Sequence, residues 1–213
     1  MKDIKNNDVE LSEATLRRLP QYYCYLEEVA REGALYISSS TIAQSLHLSA
    51  IQVRKDLASV SSKAGKPRKG FVVELLLKDV EEVLGYNNHS DAVLVGAGRL
   101  GKTLLSYEGF ENYGLHLIAA FDSDPELWDT QVNGKTIFPL DQLTRIIQRL
   151  HVQMAVLTVP KQEAQNVCDI LVEAGIKGIW NFAPIALKVP ADIVLKNENL
   201  AASLAYVSQH LKN

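Results

Sequence analysis

Two hydrophobic periodicities divide the chain. In its first part, apolar residues recur at helical spacing. Ser12-Glu13-Ala14-Thr15 opens a stretch in which Leu16, Leu19, Tyr22, Tyr23, Leu26, Val29 and Ala30 share one helical face. Pro20 either marks the first turn of a helix starting near Leu19 or kinks a longer one. Gly33 is placed to end it. A short second helix is expected up to Leu46-His47, capped by Ser39 or Ser40. Ser49 is placed to cap a third, Ala50 to about Ser59, with Ile51, Val53 and Leu57 on its apolar side. Helix, tight turn, helix predicts a helix-turn-helix. Gly65, Pro67 and Gly70 then punctuate a turn before a return strand, Phe71-Val72-Val73, and a closing helix, Leu75 to Leu84, with Gly85 at its C-cap.

After a linker at Gly85–Ser90 the pattern changes to short apolar blocks alternating with amphipathic stretches, the signature of an α/β fold. Strands are expected at Ala92–Val95, His116–Phe121, Met154–Val159 and Gly178–Asn181, and helices near Leu100–Tyr107, Leu140–Leu150 and Lys161–Ala174. A final helix, about Asn199–Leu211, follows an extended Asp192–Leu195. The expected domains are a winged helix over 1–85, a Rossmann domain over 86–196 and a C-terminal helix over 197–213.

Composition narrows this. The 213 residues are 47% hydrophobic and 22% charged, a globular profile. No apolar run approaches the ~20 residues of a membrane span. The polar segment Met1–Glu10 has no apolar core of a secretory signal, which points to the cytoplasm. Cys24 and Cys168 form no CxxC pattern, so neither a disulfide framework nor a metal site is expected.

The net charge of −3 conceals an asymmetry. Arg54, Lys55, Lys63, Lys66, Arg68 and Lys69 crowd Gln52–Gly70 with Asp56 as the one acid. A local polyanion site accounts for this, and so, on charge alone, does a solvated lysine-rich turn. In a helix-turn-helix, Gln52, Arg54 and Lys55 fall near bases or phosphates, while Val53 and Asp56 face the protein. Ser39, at the start of the second helix, is placed with them. A wing tip carrying Lys66, Arg68 and Lys69 meets phosphates or a minor groove.

The sharpest chemical signal is Ala92-Val93-Leu94-Val95-Gly96-Ala97-Gly98-Arg99-Leu100-Gly101, a buried strand running through GxGxxG into a helix. Gly96 permits the tight turn, Gly98 a close backbone approach to a pyrophosphate, and Gly101 close helix–strand packing. The intervening Ala97, Arg99 and Leu100 wrap the phosphates with them, at a helix N-terminus. Asp122 ends the next strand, 21 residues after Gly101, where a carboxylate accepts from the adenosine ribose hydroxyls. It would repel a 2′-phosphate, and Ser123 and Asp124 bring no arginine, so NAD(H) is expected rather than NADP(H). No catalytic dyad is visible, and the residues after Ser90 complete one Rossmann unit without a substrate domain. A sensor fits this better than a dehydrogenase, although an NAD-dependent enzyme with a helical extension is the rival.

Six stretches resemble the Rex redox-sensing repressors of bacteria. They are Arg18-Leu19-Pro20-Gln21-Tyr22-Tyr23, Gln52-Val53-Arg54-Lys55-Asp56-Leu57, Val95 to Gly101, Phe121 to Pro125, Leu157-Thr158-Val159-Pro160 and Gly175 to Pro184. The resemblance implies a homodimer whose C-terminal helix is exchanged between subunits. It implies binding to inverted-repeat operator DNA, and release when NADH closes the dimer, with NAD⁺ much less effective. It also implies that Thr158, Val159, Pro160, Asn181, Phe182, Ala183 and Pro184 line the pocket and that Tyr107 lies near the nicotinamide. Ordinary helix packing explains Tyr107 equally well.

Two departures stand out. Ala58-Ser59-Val60-Ser61 and the basic stretch replace the family's aromatic-Phe-Gly step and glycine-rich wing. Asn199 stands where many members have an aspartate that pairs with an arginine of the partner's first helix; Glu198 is the available substitute. A Rex-like paralogue with altered switching is therefore a second rival.

Overall fold

The computed structural model describes residues 11–66, 68–88, 90–198 and 200–211. The chain forms two compact units, Met1–Asn87 and Asn88–Asn213. The first contains α1 (Glu13–Arg31), β1 (Tyr36–Ile37), α2 (Ser39–Ser45), α3 (Ala50–Val60), β2 (Phe71–Val72) and α4 (Val73–Leu84). Ser12 caps α1, its hydroxyl accepting from the Thr15 amide at 3.1 Å. The helix continues through Pro20, so the longer of the two expected helices forms. Burial of Leu19, Tyr22 and Leu26 on either side of the proline offsets its missing amide hydrogen bond. Gly33 takes a left-handed conformation just past the end.

The cap of α2 is Ser38, one residue before the first of the two expected serines. Ser38 is extended and its hydroxyl accepts from Thr41 N–H at 3.0 Å, whereas Ser39 and Ser40 are already helical. Helix α3 turns Val53, Asp56 and Leu57 inward. Ile51, expected on the apolar side, is 59% exposed, because 100° per residue carries it off the stripe set by Val53 and Leu57. Strands β1 and β2 pair antiparallel, and Lys66 and Gly70 close a small hairpin beyond them. Gly70 is required there: a Cβ would overlap the Ile37 carbonyl. Helix α4 starts at Val73, two residues earlier than expected, and buries Val73, Leu76 and Val80.

The second unit contains β3 (Ser90–Val95), α5 (Arg99–Ser106), β4 (Leu115–Asp122), β5 (Gln131–Val132), β6 (Lys135–Pro139), α6 (Leu143–Leu150), β7 (Met154–Leu157), α7 (Lys161–Ala174), β8 (Gly178–Asn181), β9 (Val194–Asn197) and α8 (Leu200–His210). They build one sheet in the order β5-β6-β4-β3-β7-β8-β9. All pairs are parallel except β5-β6. The expected strands do not include β5 and β6, although Asn133-Gly134 between them is a favoured hairpin pair and both residues have positive φ.

Alternation along the strands gives the sheet two cores. Val93, Val95, Phe121 and Leu157 pack with Leu143 and Ile147 of α6 and Val167 and Leu171 of α7. Ala92, Leu94, Ala120 and Val156 face the opposite side with Leu105 of α5. The strand order reverses between β3 and β7, and there the carboxyl ends of an open parallel sheet leave a crevice.

Candidate cofactor cleft and nucleic-acid face

A cleft of about 580 Å³ opens at those strand ends. Its floor is the turn from β3 into α5. Gly96 has φ of 99°, and a Cβ there would come within 2.8 Å of the Thr158 carbonyl carbon. Gly101 packs so closely that a Cβ would overlap Gly96 O. Gly98 differs: a Cβ would meet no atom within 4 Å, so its position is open to the cleft rather than crowded by the fold. It is the N-cap of α5, whose first-turn amides have no intrahelical acceptor and point at whatever fills the cleft.

Asp122 anchors this floor. Its Oδ2 accepts from Ala97 N–H at 2.6 Å and its Oδ1 from Asp124 N–H at 2.9 Å. Each carboxylate oxygen retains a further lone pair, and the side chain is only partly buried, so it can accept from ligand hydroxyls. Thr158 also works on the scaffold. Its hydroxyl donates to Gly96 O at 2.6 Å and bonds Val95 O at 3.1 Å. Leu100, Ser123, Val159, Pro160 and Pro184 complete the expected lining. Leu127, Leu140, Glu163 and Val167 line it as well and carried no sequence signal. Phe182, included by the family resemblance, is there too.

Other expected residues lie elsewhere. Ala97 is buried, and Arg99 is exposed on α5. Asn181 is fully buried and organises the turn after β8: its NH2 donates to Ile185 O and Asn197 Oδ1, both at 2.8 Å, and its Oδ1 accepts from Ala183 N–H. Asn181 and Ala183 thus stand behind the cleft wall. Tyr107 is 53% exposed and begins a chain of aromatic contacts, edge-on to Phe110 and from there to Trp180, then tilted to Phe182 in the cleft. Trp180 Nε1 donates to Glu198 Oε1 at 3.0 Å, so Glu198 is already engaged within its own unit. Asn199 lies outside the described residues.

On the first unit, a groove of about 660 Å³ runs between α3 and the hairpin. Ser39, Arg54, Lys66 and Arg68 line it with Ala58 and Phe71. The Nζ atoms of Lys69 and Lys66 sit 5.3 and 5.9 Å from the Tyr36 ring centroid, so both cations lie against one aromatic ring. Asp79 of α4 accepts from Ser62 N–H at 2.7 Å and fixes the start of the basic stretch. Lys55 and Gln52 are exposed on α3 outside the groove.

Behind this face, three side chains of α1 converge on one carboxylate of α3. Arg18 Nε donates to Asp56 Oδ2 at 2.7 Å and Nη2 to Oδ1 at 2.9 Å. Tyr22 OH donates to Oδ2 at 2.7 Å and Thr15 Oγ1 to Oδ1 at 3.2 Å. Burial alone would raise the Asp56 pKa; hydrogen bonds from Arg18 and Tyr22 outweigh it and hold the carboxyl below its usual range. Burial, and then the bond to Asp56, pushes Tyr22 up to about 12. Among the described residues, every buried side-chain polar atom has a partner.

Known proteins resemble both units. A "Putative DNA-binding protein N-terminus" family profile matches residues 10–58, and a "CoA binding domain" profile matches residues 87–185. The redox-sensing transcriptional repressor Rex of Treponema denticola is 39% identical over 191 residues, covering 90% of each chain. That of Bacteroides fragilis is 39% identical, covering 96% of this chain and 93% of its own. Among solved structures, a Rex-family repressor called RSP, in complex with β-NAD⁺ and operator DNA, superposes with a TM-score of 0.89 at 36% identity, over 94% of this chain and 92% of that one. The same protein with β-NADH superposes at 0.85, over 95% and 94%. Identity above 30% along nearly the whole of both chains, with one unit for each site, means that this chain belongs to the Rex family of redox-sensing transcriptional repressors.

Proposed function

We infer that the chain represses transcription as a homodimer bound to an inverted-repeat operator, and that NADH releases it. It is a regulator and not an enzyme. The observation that carries this reading is the near-complete superposition on a repressor solved with NAD⁺ and operator DNA and again with NADH.

In this reading the pyrophosphate lies on the α5 N-terminus against Gly98, with Gly96 to Gly101 wrapping it, and Asp122 accepts from the adenosine ribose. The cleft between Val159, Pro160, Phe182 and Pro184 takes the nicotinamide half. Tyr107 acts from the far end of the aromatic chain. Arg54, Lys55 and Gln52 enter the major groove, while Ser39, Lys66, Arg68 and Lys69 hold phosphates. The site of action is the cytoplasm; no helix among the described residues is long and apolar enough to cross a membrane. Residues 197–213 carry the dimer contact: Leu204, Val207 and Leu211 are exposed at helical spacing and would be covered by the second subunit.

The switch requires NADH to discriminate between dimer states, and the cleft to discriminate between redox states. Oxidised nicotinamide carries a positive charge whose burial among apolar groups costs free energy; about 1.4 kcal/mol gives tenfold selectivity. Titrating an operator complex with each cofactor tests this. NADH is expected to release DNA at concentrations where NAD⁺ does not. Equal release by both would overturn redox sensing, and release by neither would favour a paralogue with altered switching, the reading motivated by Asn199.

A further inference from the structure

Gln52 is exposed on α3, and one orientation of its amide suits the guanidinium beside it. With the oxygen directed inward it accepts from Arg18 Nη1 at 3.0 Å and Nη2 at 3.3 Å. Reversed, its NH2 would face the guanidinium, donor against donor. Arg18 cannot move aside to accommodate the reversed amide, because its Nε and Nη2 are bonded to Asp56, which Tyr22 and Thr15 hold in turn. Residues 52 and 56 lie one turn apart on the same face of α3, so a single fixed fork from α1 engages both.

We propose that Arg18 is a positioning residue that sets the polarity with which Gln52 reads DNA, so that Gln52 recognises a guanine through its NH2 group. An unconstrained glutamine reads adenine with both ends of its amide, accepting from N6 and donating to N7. Holding the oxygen on Arg18 removes the acceptor and leaves two N–H donors on one nitrogen. Guanine presents two adjacent acceptors, N7 and O6, in the major groove, whereas the N6 amino group of adenine opposes a second donor. The inference rests on α3 being the major-groove helix.

The test uses the full-length chain and the duplex it selects from a random pool. Each guanine is replaced in turn by 7-deazaguanine, which lacks N7, and each adenine by purine, which lacks the N6 amino group. One 7-deazaguanine position in each half-site is expected to weaken binding by about three- to tenfold and to leave the affinity of Gln52→Ala unchanged. No adenine should show a Gln52-dependent loss. Arg18→Lys keeps a cation but not the fork; it should release the amide and relax the preference for guanine at that base pair. Unchanged NADH affinity and helix content check that this variant is folded, and if it is not, the Gln52→Ala comparison decides alone. Equal 7-deazaguanine losses with and without Gln52, or an adenine amino group that matters only when Gln52 is present, would overturn the proposal. Binding without salt dependence would instead overturn the reading of this face as a DNA interface.

Discussion

Asp56 and Asp122 each hold a backbone element in place, but they end in different states. Asp56 is 5% exposed and receives four hydrogen bonds from three residues of α1, which occupies its acceptor capacity. Asp122 receives two backbone N–H bonds and keeps lone pairs facing a cleft. The first carboxylate ties α3 to α1; the second fixes the turn from β3 into α5 and keeps acceptor capacity toward the cleft. Both were legible as acidic residues near a site. Which one is free depends on how many donors surround it.

The largest loss is expected at Asp56. Asp56→Ala leaves the Arg18 guanidinium without its charge partner, and losses of about 3–5 kcal/mol are usual on breaking a buried pair. Urea unfolding should show the first unit weakened and operator binding lost, with NADH affinity retained. Loss of both functions together would mean that the units do not fold separately.

Gly98→Ala acts on the other side. No atom lies within 4 Å of the new methyl, so the thermal midpoint of the ligand-free protein should stay within about a degree, while the NADH dissociation constant rises by at least about tenfold. Calorimetric titration measures this. Unchanged affinity would remove the phosphates from the α5 N-terminus.

A smaller effect is expected at the wing. Arg68→Ala should weaken operator binding a few-fold and reduce the slope of log K against log salt by about 0.9, the value for one lost phosphate contact. An unaltered slope would leave Arg68 as solvated charge.

The smallest expected signature is in pH. The Tyr22 hydroxyl is raised to about 12 in the folded state against about 10 for a free tyrosine. Its contribution is complete below 10 and disappears as pH rises through 12. Asp56 works in the opposite sense: its folded pKa is depressed, so its contribution is present above the ordinary carboxylate range and lost as pH falls through the folded value. Circular dichroism against pH should show Tyr22→Phe flattening part of the alkaline limb and also making the acid limb shallower, because Asp56 loses one of the bonds that depress it.

Much of the cleft could be read in advance because each feature answers a local demand. Gly96 is needed for a positive φ, Gly101 for contact with the preceding turn, and Asp122 for the end of the next strand. Asn181 resisted such reading. Whether its amide meets a ligand or the chain depends on where Ala183, Ile185 and Asn197 fall, and they take every bond it can make on its inner side. Arg18 shows the same limit at longer range. Its guanidinium lies on Asp56, 38 residues along the same chain, a pairing that no local spacing announces.

By itself, then, the sequence determined the two periodicities, the glycine turn with its carboxylate, and the basic stretch. These depend on neighbours within a turn or a strand, where spacing and backbone sterics suffice. Tertiary structure decided which polar side chains are left to meet ligands. Hydrogen-bond capacity is filled by partners that only the fold brings together, as Asp56 and Asn181 each show.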